Sequence, residues 1–171
     1  LELLKAAAYK KAYTYYHLIS GQDLPLKTQD EIHAFFEKNE GKSYMDFDPV
    51  DNETKGFLYK VQYWYPLQDY IGRNQDKTSK RLEWIQNKFL QLQKKLGYSR
   101  IKGRENTFYK GANWFSITDE LARYVLAKEK EVYKEFRYTM CADEIFLHTL
   151  VMNSIYAEKV VKDSMREIDW K

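Results

Sequence analysis

Two adjacent carboxylates, Asp143 and Glu144, stand just before the apolar residues Phe146, Leu147, Leu150 and Val151, which recur at helical spacing. A carboxylate held in a cleft can act as a general base, taking the proton from an attacking hydroxyl. The same position suits helix capping, because acidic groups satisfy free amides and meet the positive end of the helix dipole. Capping alone is the plainer account. Both roles are compatible if Asp143 caps a helix over residues 144–153 and Glu144 points into a cleft. A second candidate lies in residues 15–27, YYHLISGQDLPLK. There a strand-like run stops in Ser20-Gly21-Gln22-Asp23, and Pro25 prevents a return to regular pairing. A polar, glycine-containing turn with a carboxylate at a strand end is where open α/β sheets bind ligands. A third is Asp46-Phe47-Asp48, an Asp-x-Asp pattern whose oxygens suit Mg²⁺ or Mn²⁺ on a diphosphate. Pro49 and Asp51-Asn52-Glu53 behind it also read as a solvated turn. His17, His33 and His148 lack metal-ligand spacing, and read as strand-face, helix-surface and core residues respectively. Cys141 has no nucleophile context, and no Gly-x-Ser-x-Gly elbow occurs.

These residues need a scaffold, and the chain alternates in the manner of an α/β fold. Residues 1–12 read as a helix and residues 13–19 as a strand rich in Tyr. Thr28-Gln29-Asp30-Glu31 is a capping box for a helix with Ile32, Phe35 and Phe36 on its apolar face, closed by Asn39-Glu40-Gly41. Residues 42–47 form a second short strand, and an aromatic-rich stretch over residues 57–65 ends at Pro66. Thr78 starts a long helix in which Leu82, Ile85, Phe89, Leu92 and Leu96 recur at three and four, with Gly97 as its stop. Residues 100–107 read as a mobile loop and 108–117 as a strand carrying Gly111, Asn113 and Trp114. Thr118 caps the next helix, and the mixed charges of residues 128–134 form a solvated helical face.

The 171 residues suffice for one domain with a sizeable core. The net charge is +3 and is spread along the chain, without the clustered basic stripe of a nucleic-acid binder. Fifteen Tyr, nine Phe and four Trp suit either stacking on sugars and bases or an aromatic core. Cys141 is the single cysteine, so no intrachain disulfide forms and a reducing compartment is expected. No apolar run reaches a membrane span.

Three blocks, residues 15–36 (YYHLISGQDLPLKTQDEIHAFF), 111–126 (GANWFSITDELARYVL) and 143–154 (DEIFLHTLVMNS), recur in this order in a known family. The chain resembles the core-2/I-branching β-1,6-N-acetylglucosaminyltransferases and their peptide O-xylosyltransferase relatives. The resemblance implies a variant of the glycosyltransferase A fold, an α/β three-layer sandwich of which residues 1–171 are the central part. The activity it implies is inverting, metal-independent transfer from a UDP-sugar, with no cofactor, to a glycan or protein hydroxyl. Glu144 corresponds to the family's general base, with Cys141-Ala142 where Ser-Pro is common. Gly21 and Asp23 line the cleft, Asn113 and Trp114 lie near the donor sugar, and Trp170 resembles a tryptophan that packs on the acceptor. Asn113 stands where xylosyltransferases carry an aspartate, which favours N-acetylglucosamine over xylose. The diphosphate-neutralising side chains of the family are expected beyond Lys171, so this segment alone is expected to lack full activity. The absence of disulfides points to a bacterial, cytoplasmic enzyme of surface-polysaccharide synthesis, peripherally associated with a membrane; a eukaryotic parent would place it in the Golgi lumen. Two alternatives remain open: a metal-dependent transferase using Asp46 and Asp48, and a non-catalytic carbohydrate-binding module.

Overall fold

The computed structural model describes residues 1–71 and 76–167. Four short strands make one mixed sheet: β1 (Tyr15–Leu18), β2 (Ser43–Met45), β3 (Phe115–Thr118) and β4 (Val160–Val161), in the order β1-β3-β2-β4. β3 runs antiparallel to β1 and β2, pairing Leu18 with Phe115 and Met45 with Phe115, whereas β2 and β4 are parallel. The C-terminal ends of β1, β2 and β4 therefore emerge at the same sheet edge as the N-terminal end of β3.

Alternation along the strands divides the aromatic residues between two layers. Tyr15, His17 and Tyr44 face α2 (Gln29–Lys38), with the Phe36 ring 4.6, 4.8 and 5.8 Å from their respective ring centroids. Tyr16, Met45 and Ile117 face the main core. That core is closed by Ala8 of α1 (Glu2–Lys10), by Leu121, Ala122 and Val125 of α6 (Asp119–Ala127), and by Leu147 and Val151 of α8 (Phe146–Met152). A second cluster joins Phe57 and Val61 to Ile101, Phe108, Ile145, and to Val132 and Phe136 of α7 (Glu129–Phe136); Phe146 and Leu150 touch both clusters. The aromatic richness of the chain thus serves chiefly to fill cores.

The local signals at two helix starts behave as their sequences predict. The Thr28 hydroxyl accepts from the Glu31 amide while the Glu31 carboxylate accepts from the Thr28 amide, and the Thr118 hydroxyl accepts from the Leu121 amide. Elsewhere the structure differs. The expected strand over 108–117 is regular only from Phe115, because Tyr109 and Lys110 bond the side chains of Thr149 and Asn52 instead of a neighbouring strand. The aromatic stretch after residue 56 is a 3₁₀ turn and a single helical turn, α4 (Tyr59–Gln62). The loop over 100–107 contains a 3₁₀ turn at Glu105–Thr107. Asp143 does not cap the helix behind it. Cys141 adopts a left-handed conformation (φ 49°), Ala142–Glu144 form a 3₁₀ turn, and α8 begins only after Ile145, with no side-chain cap. Among the described residues no helix is long and apolar enough to cross a membrane.

Candidate active site

The loops that leave the shared sheet edge carry the sequence candidates to one place. After β1, the turn is held by its own polar groups. The Asp23 carboxylate accepts from the Ser20 amide at 2.6 Å, the Asp23 amide donates to the Ser20 carbonyl at 3.2 Å, and the Ser20 hydroxyl accepts from the Gln22 amide. Gly21 is not in a positive-φ conformation, and a Cβ built there would meet nothing within 4 Å. The space above the turn is open.

Following β4, Arg166 reaches back over 143 residues of sequence to pair with Asp23. Its guanidinium also lies 3.5 Å from the centroid of the Trp114 ring, a separation at which cation and π face attract. Arg166 therefore locks the loop after β1 to the residue that precedes β3. Next to Trp114, the Asn113 amide donates to the Asp143 carboxylate at 2.6 Å. That bond explains what Asp143 does instead of capping: it orients Asn113.

Glu144 follows directly. Its Oε2 accepts from Lys60 Nζ at 3.0 Å, with the side chains 35% and 13% exposed respectively. Oε1 makes no hydrogen bond among the described residues, so one carboxylate oxygen is oriented and the other is available. The Glu144 backbone is fixed as well, since its carbonyl accepts from the Gly111 amide at 3.0 Å. Cys141, three residues earlier, holds a backbone conformation that costs a non-glycine residue on the order of 1–2 kcal/mol. Such strain is found where the chain must present a neighbouring group in one orientation.

The Asp-x-Asp segment sits beside this cluster with its groups already engaged. Asp48 caps α3 (Pro49–Thr54) by accepting from the Asp51 amide at 2.8 Å. That bond holds its carboxyl below the usual range, and Lys110 at 3.4 Å lowers it further. Lys110 is bonded more closely to Asp51, at 2.6 Å. Asn52 ties the same two segments together through the carbonyls of Asp48 and Lys110 and the Lys110 amide. Among the described residues no group of three or more His, Cys, Asp or Glu side chains is arranged to hold a metal ion.

The three histidines occupy strand-face, helix-surface and core positions. His17 Nδ1 lies 2.8 Å from the Ser116 hydroxyl, His33 is exposed, and His148 is buried. His148 Nε2 lies 2.8 Å from the Asp46 carbonyl. A carbonyl only accepts, so Nε2 carries the proton and Nδ1 is left without a partner. Burial pushes this imidazole down to about 4, opposed by the Asp46 bond and reinforced by Lys110. The unfolded chain takes up a proton near 6.5, before the folded one does. His148 therefore detracts nothing above about pH 6.5. Between 6.5 and about 4 it removes stability progressively, on the order of 3 kcal/mol in all. Urea unfolding at pH 7 and pH 4 is expected to show this loss, and His148→Gln, whose amide can still donate to Asp46, is expected to reduce it by most of that amount.

Asp23, Asn113, Trp114 and Glu144 are thus brought to one sheet edge, with Gly21 on the open side of the turn. Trp170 lies outside the described residues. Sequence reasoning missed Lys60 and Arg166. Each is one cation among 28 Lys and Arg, and their partners lie 84 and 143 residues away, so no local spacing marks them.

A sequence model of the Core-2/I-Branching enzyme family matches residues 1–171. Similar curated proteins include xylosyltransferase 2 of Pan troglodytes and of Homo sapiens, each 23% identical over 166 residues. Xylosyltransferase 2 of Rattus norvegicus is 24% identical over 159 residues. These matches cover 93%, 93% and 89% of this chain, and the chain spans only 16% of the length of each relative. With every residue of the chain inside the family match, the protein belongs to the Core-2/I-Branching enzyme family.

Proposed function

We propose that the protein serves an inverting, metal-independent glycosyltransferase of variant glycosyltransferase A fold, moving N-acetylglucosamine from UDP-N-acetylglucosamine to a glycan hydroxyl. The observation that carries this reading is the meeting of Asp23, Asn113 and Trp114 with the Asp143-Glu144 pair at the sheet edge where the C-terminal ends of three strands emerge. Inversion is a single in-line displacement. The acceptor oxygen forms a bond to the anomeric carbon as the bond from that carbon to the UDP oxygen breaks, and the electron pair leaves with UDP. Glu144, with Lys60 fixing one oxygen, takes the acceptor proton on the face opposite the departing diphosphate. Asn113, held by Asp143, and Trp114, held by Arg166, orient the donor sugar, and the open space above Gly21 receives it. Trp170 stacks on the acceptor.

Metal independence is supported by the engagement of the Asp48 carboxylate in a helix cap and beside Lys110, which leaves it poorly placed as a ligand. A single free cysteine, Cys141, fits a reducing compartment, and we place the protein in the cytoplasm at a membrane surface. The test uses the full-length protein with UDP-N-acetylglucosamine, UDP-xylose and UDP-glucose, each assayed with and without EDTA. Transfer from UDP-N-acetylglucosamine that is unchanged by EDTA is expected. Loss of transfer in EDTA would shift the chemistry to a metal held by Asp46 and Asp48, and preference for UDP-xylose would overturn the donor. No transfer from any donor would favour a carbohydrate-binding module.

A further inference from the structure

The long helix α5 (Lys77–Lys95) is docked by its polar face. N-capped by Asp76 rather than starting at Thr78, it turns Gln86 and Gln93 inward. Gln86 accepts from the Leu67 amide at 3.0 Å; Gln93 accepts from the Trp64 amide at 2.9 Å and donates to the Trp64 carbonyl at 3.1 Å. Its apolar ridge points outward: Ile85 is 41% exposed, Phe89 38%, Leu92 52% and Leu96 72%. Spacings of three and four from Leu82 through Leu96 are those of a coiled-coil seam. Seven-residue steps place Arg81, Lys88 and Lys95 along the free flank of that seam, all exposed. The helix carries six basic residues against Glu83 alone, more positive charge than the chain's net +3. Charge that looks dispersed in the sequence is therefore concentrated on this element.

Phe89, Leu92 and Leu96 of this seam form one wall of a groove whose other side includes Trp64, Tyr98 and Lys102. The indole Nε1 of Trp64 donates to the Tyr98 hydroxyl at 2.5 Å, which fixes that wall. Another helix can seat between this seam and the facing wall of Trp64, Tyr98 and Lys102, contacts that a flat bilayer surface does not reach. Exposed cations flank the seam on its free side, Lys88 and Lys95 among them, and Lys102 lines the groove across from it. A second copy in antiparallel register would set Arg81, Lys88 and Lys95 against the same cations. In parallel register they would meet Gln86 and Gln93, which are already buried against their own chain. We propose that this groove is a docking surface for an amphipathic helix of another protein, with an apolar seam and acidic flanks. The inference is independent of the transfer chemistry, since none of these residues belongs to the candidate site.

The test measures binding to the protein of a 21-residue helical peptide with Leu along its seam and Glu on both flanks, beside the same peptide with Lys on both flanks. Fluorescence anisotropy is expected to show the Glu peptide binding at least about tenfold more tightly. Phe89→Glu with Leu92→Glu is expected to abolish binding. Lys88→Glu with Lys95→Glu is expected to reverse the preference between the two peptides. All four substituted side chains are exposed, and an unchanged melting temperature verifies that each variant is folded. Equal affinity for both peptides, or for neither, overturns the proposal. So does tighter association with phosphatidylserine vesicles than with the Glu peptide, which would make the face a membrane contact. A dimer in sedimentation that Leu92→Glu dissociates would assign the groove to a second copy and overturn it too.

Discussion

Glu144→Gln is expected to lower the transfer rate of the full-length protein by on the order of 10²–10⁴-fold, about 3–5 kcal/mol of transition-state stabilisation. The substitution is nearly isosteric, and the amide oxygen of Gln can still accept from Lys60 Nζ, which lies 3.0 Å from Oε2 in the wild type. The backbone carbonyl of residue 144 keeps its bond to the Gly111 amide. The negative charge is removed, and with it the ability to take a proton. Since that ability matters in the transition state and not in donor binding, kcat falls while KM for the UDP-sugar changes little. Steady-state kinetics with the donor varied at saturating acceptor separates the two. Asp143→Asn should act differently. Its amide keeps one oxygen to accept from Asn113, now 2.6 Å from the carboxylate, so a smaller loss is expected, expressed as poorer use of the donor. Turnover indifferent to Glu144→Gln would move the base elsewhere.

The sequence revealed those parts of the fold whose cause is local. Thr28-Gln29-Asp30-Glu31 contains both halves of its capping box within four residues, and the box forms. Gly97 stops α5 with φ 63°, a conformation that suits glycine at a helix end. Parts governed by distant partners were not legible. The periodicity of Leu82 through Leu96 correctly gives a helix, but not which way it turns: that is decided by the backbone groups of Trp64 and Leu67, which Gln93 and Gln86 satisfy. The strand over 108–117 was drawn too long because the polar partners of Tyr109 and Lys110 are side chains on other elements. At the candidate site, residue types and motif order singled out Glu144, Asp23, Asn113 and Trp114, which the fold brings together. The structure adds Lys60 and Arg166, whose importance comes from meeting these residues across the fold.

Gly111→Ala is expected to destabilise the protein by about 4 kcal/mol or more, beyond the usual range for overpacking. A Cβ at this position would lie 1.9 Å from the Asp46 carbonyl oxygen, 2.4 Å from His148 Nε2 and 2.7 Å from His148 Cδ2. The first obstacle is main chain at the end of β2, and the second is the imidazole bonded to that same carbonyl, so neither can swing aside independently. Nor can residue 111 withdraw easily, because its amide is bonded to the Glu144 carbonyl and the preceding Lys110 carbonyl accepts from the Asp48 amide. Relief requires breaking one of these crossings, and each leaves a buried polar group to be satisfied again. For a chain of this length the loss corresponds to a fall in melting temperature of about 8–16 °C. Gly21→Ala provides the contrast: with no atom within 4 Å of its Cβ and no positive φ, it should leave stability within about 1 kcal/mol of wild type. Melting both variants beside the wild type decides the matter, and a Gly111→Ala protein as stable as Gly21→Ala would refute the close crossing of the two segments. If the crossing is real, Gly111→Ala should also displace the Glu144 backbone, so transfer by any folded Gly111→Ala protein should fall even well below its melting temperature.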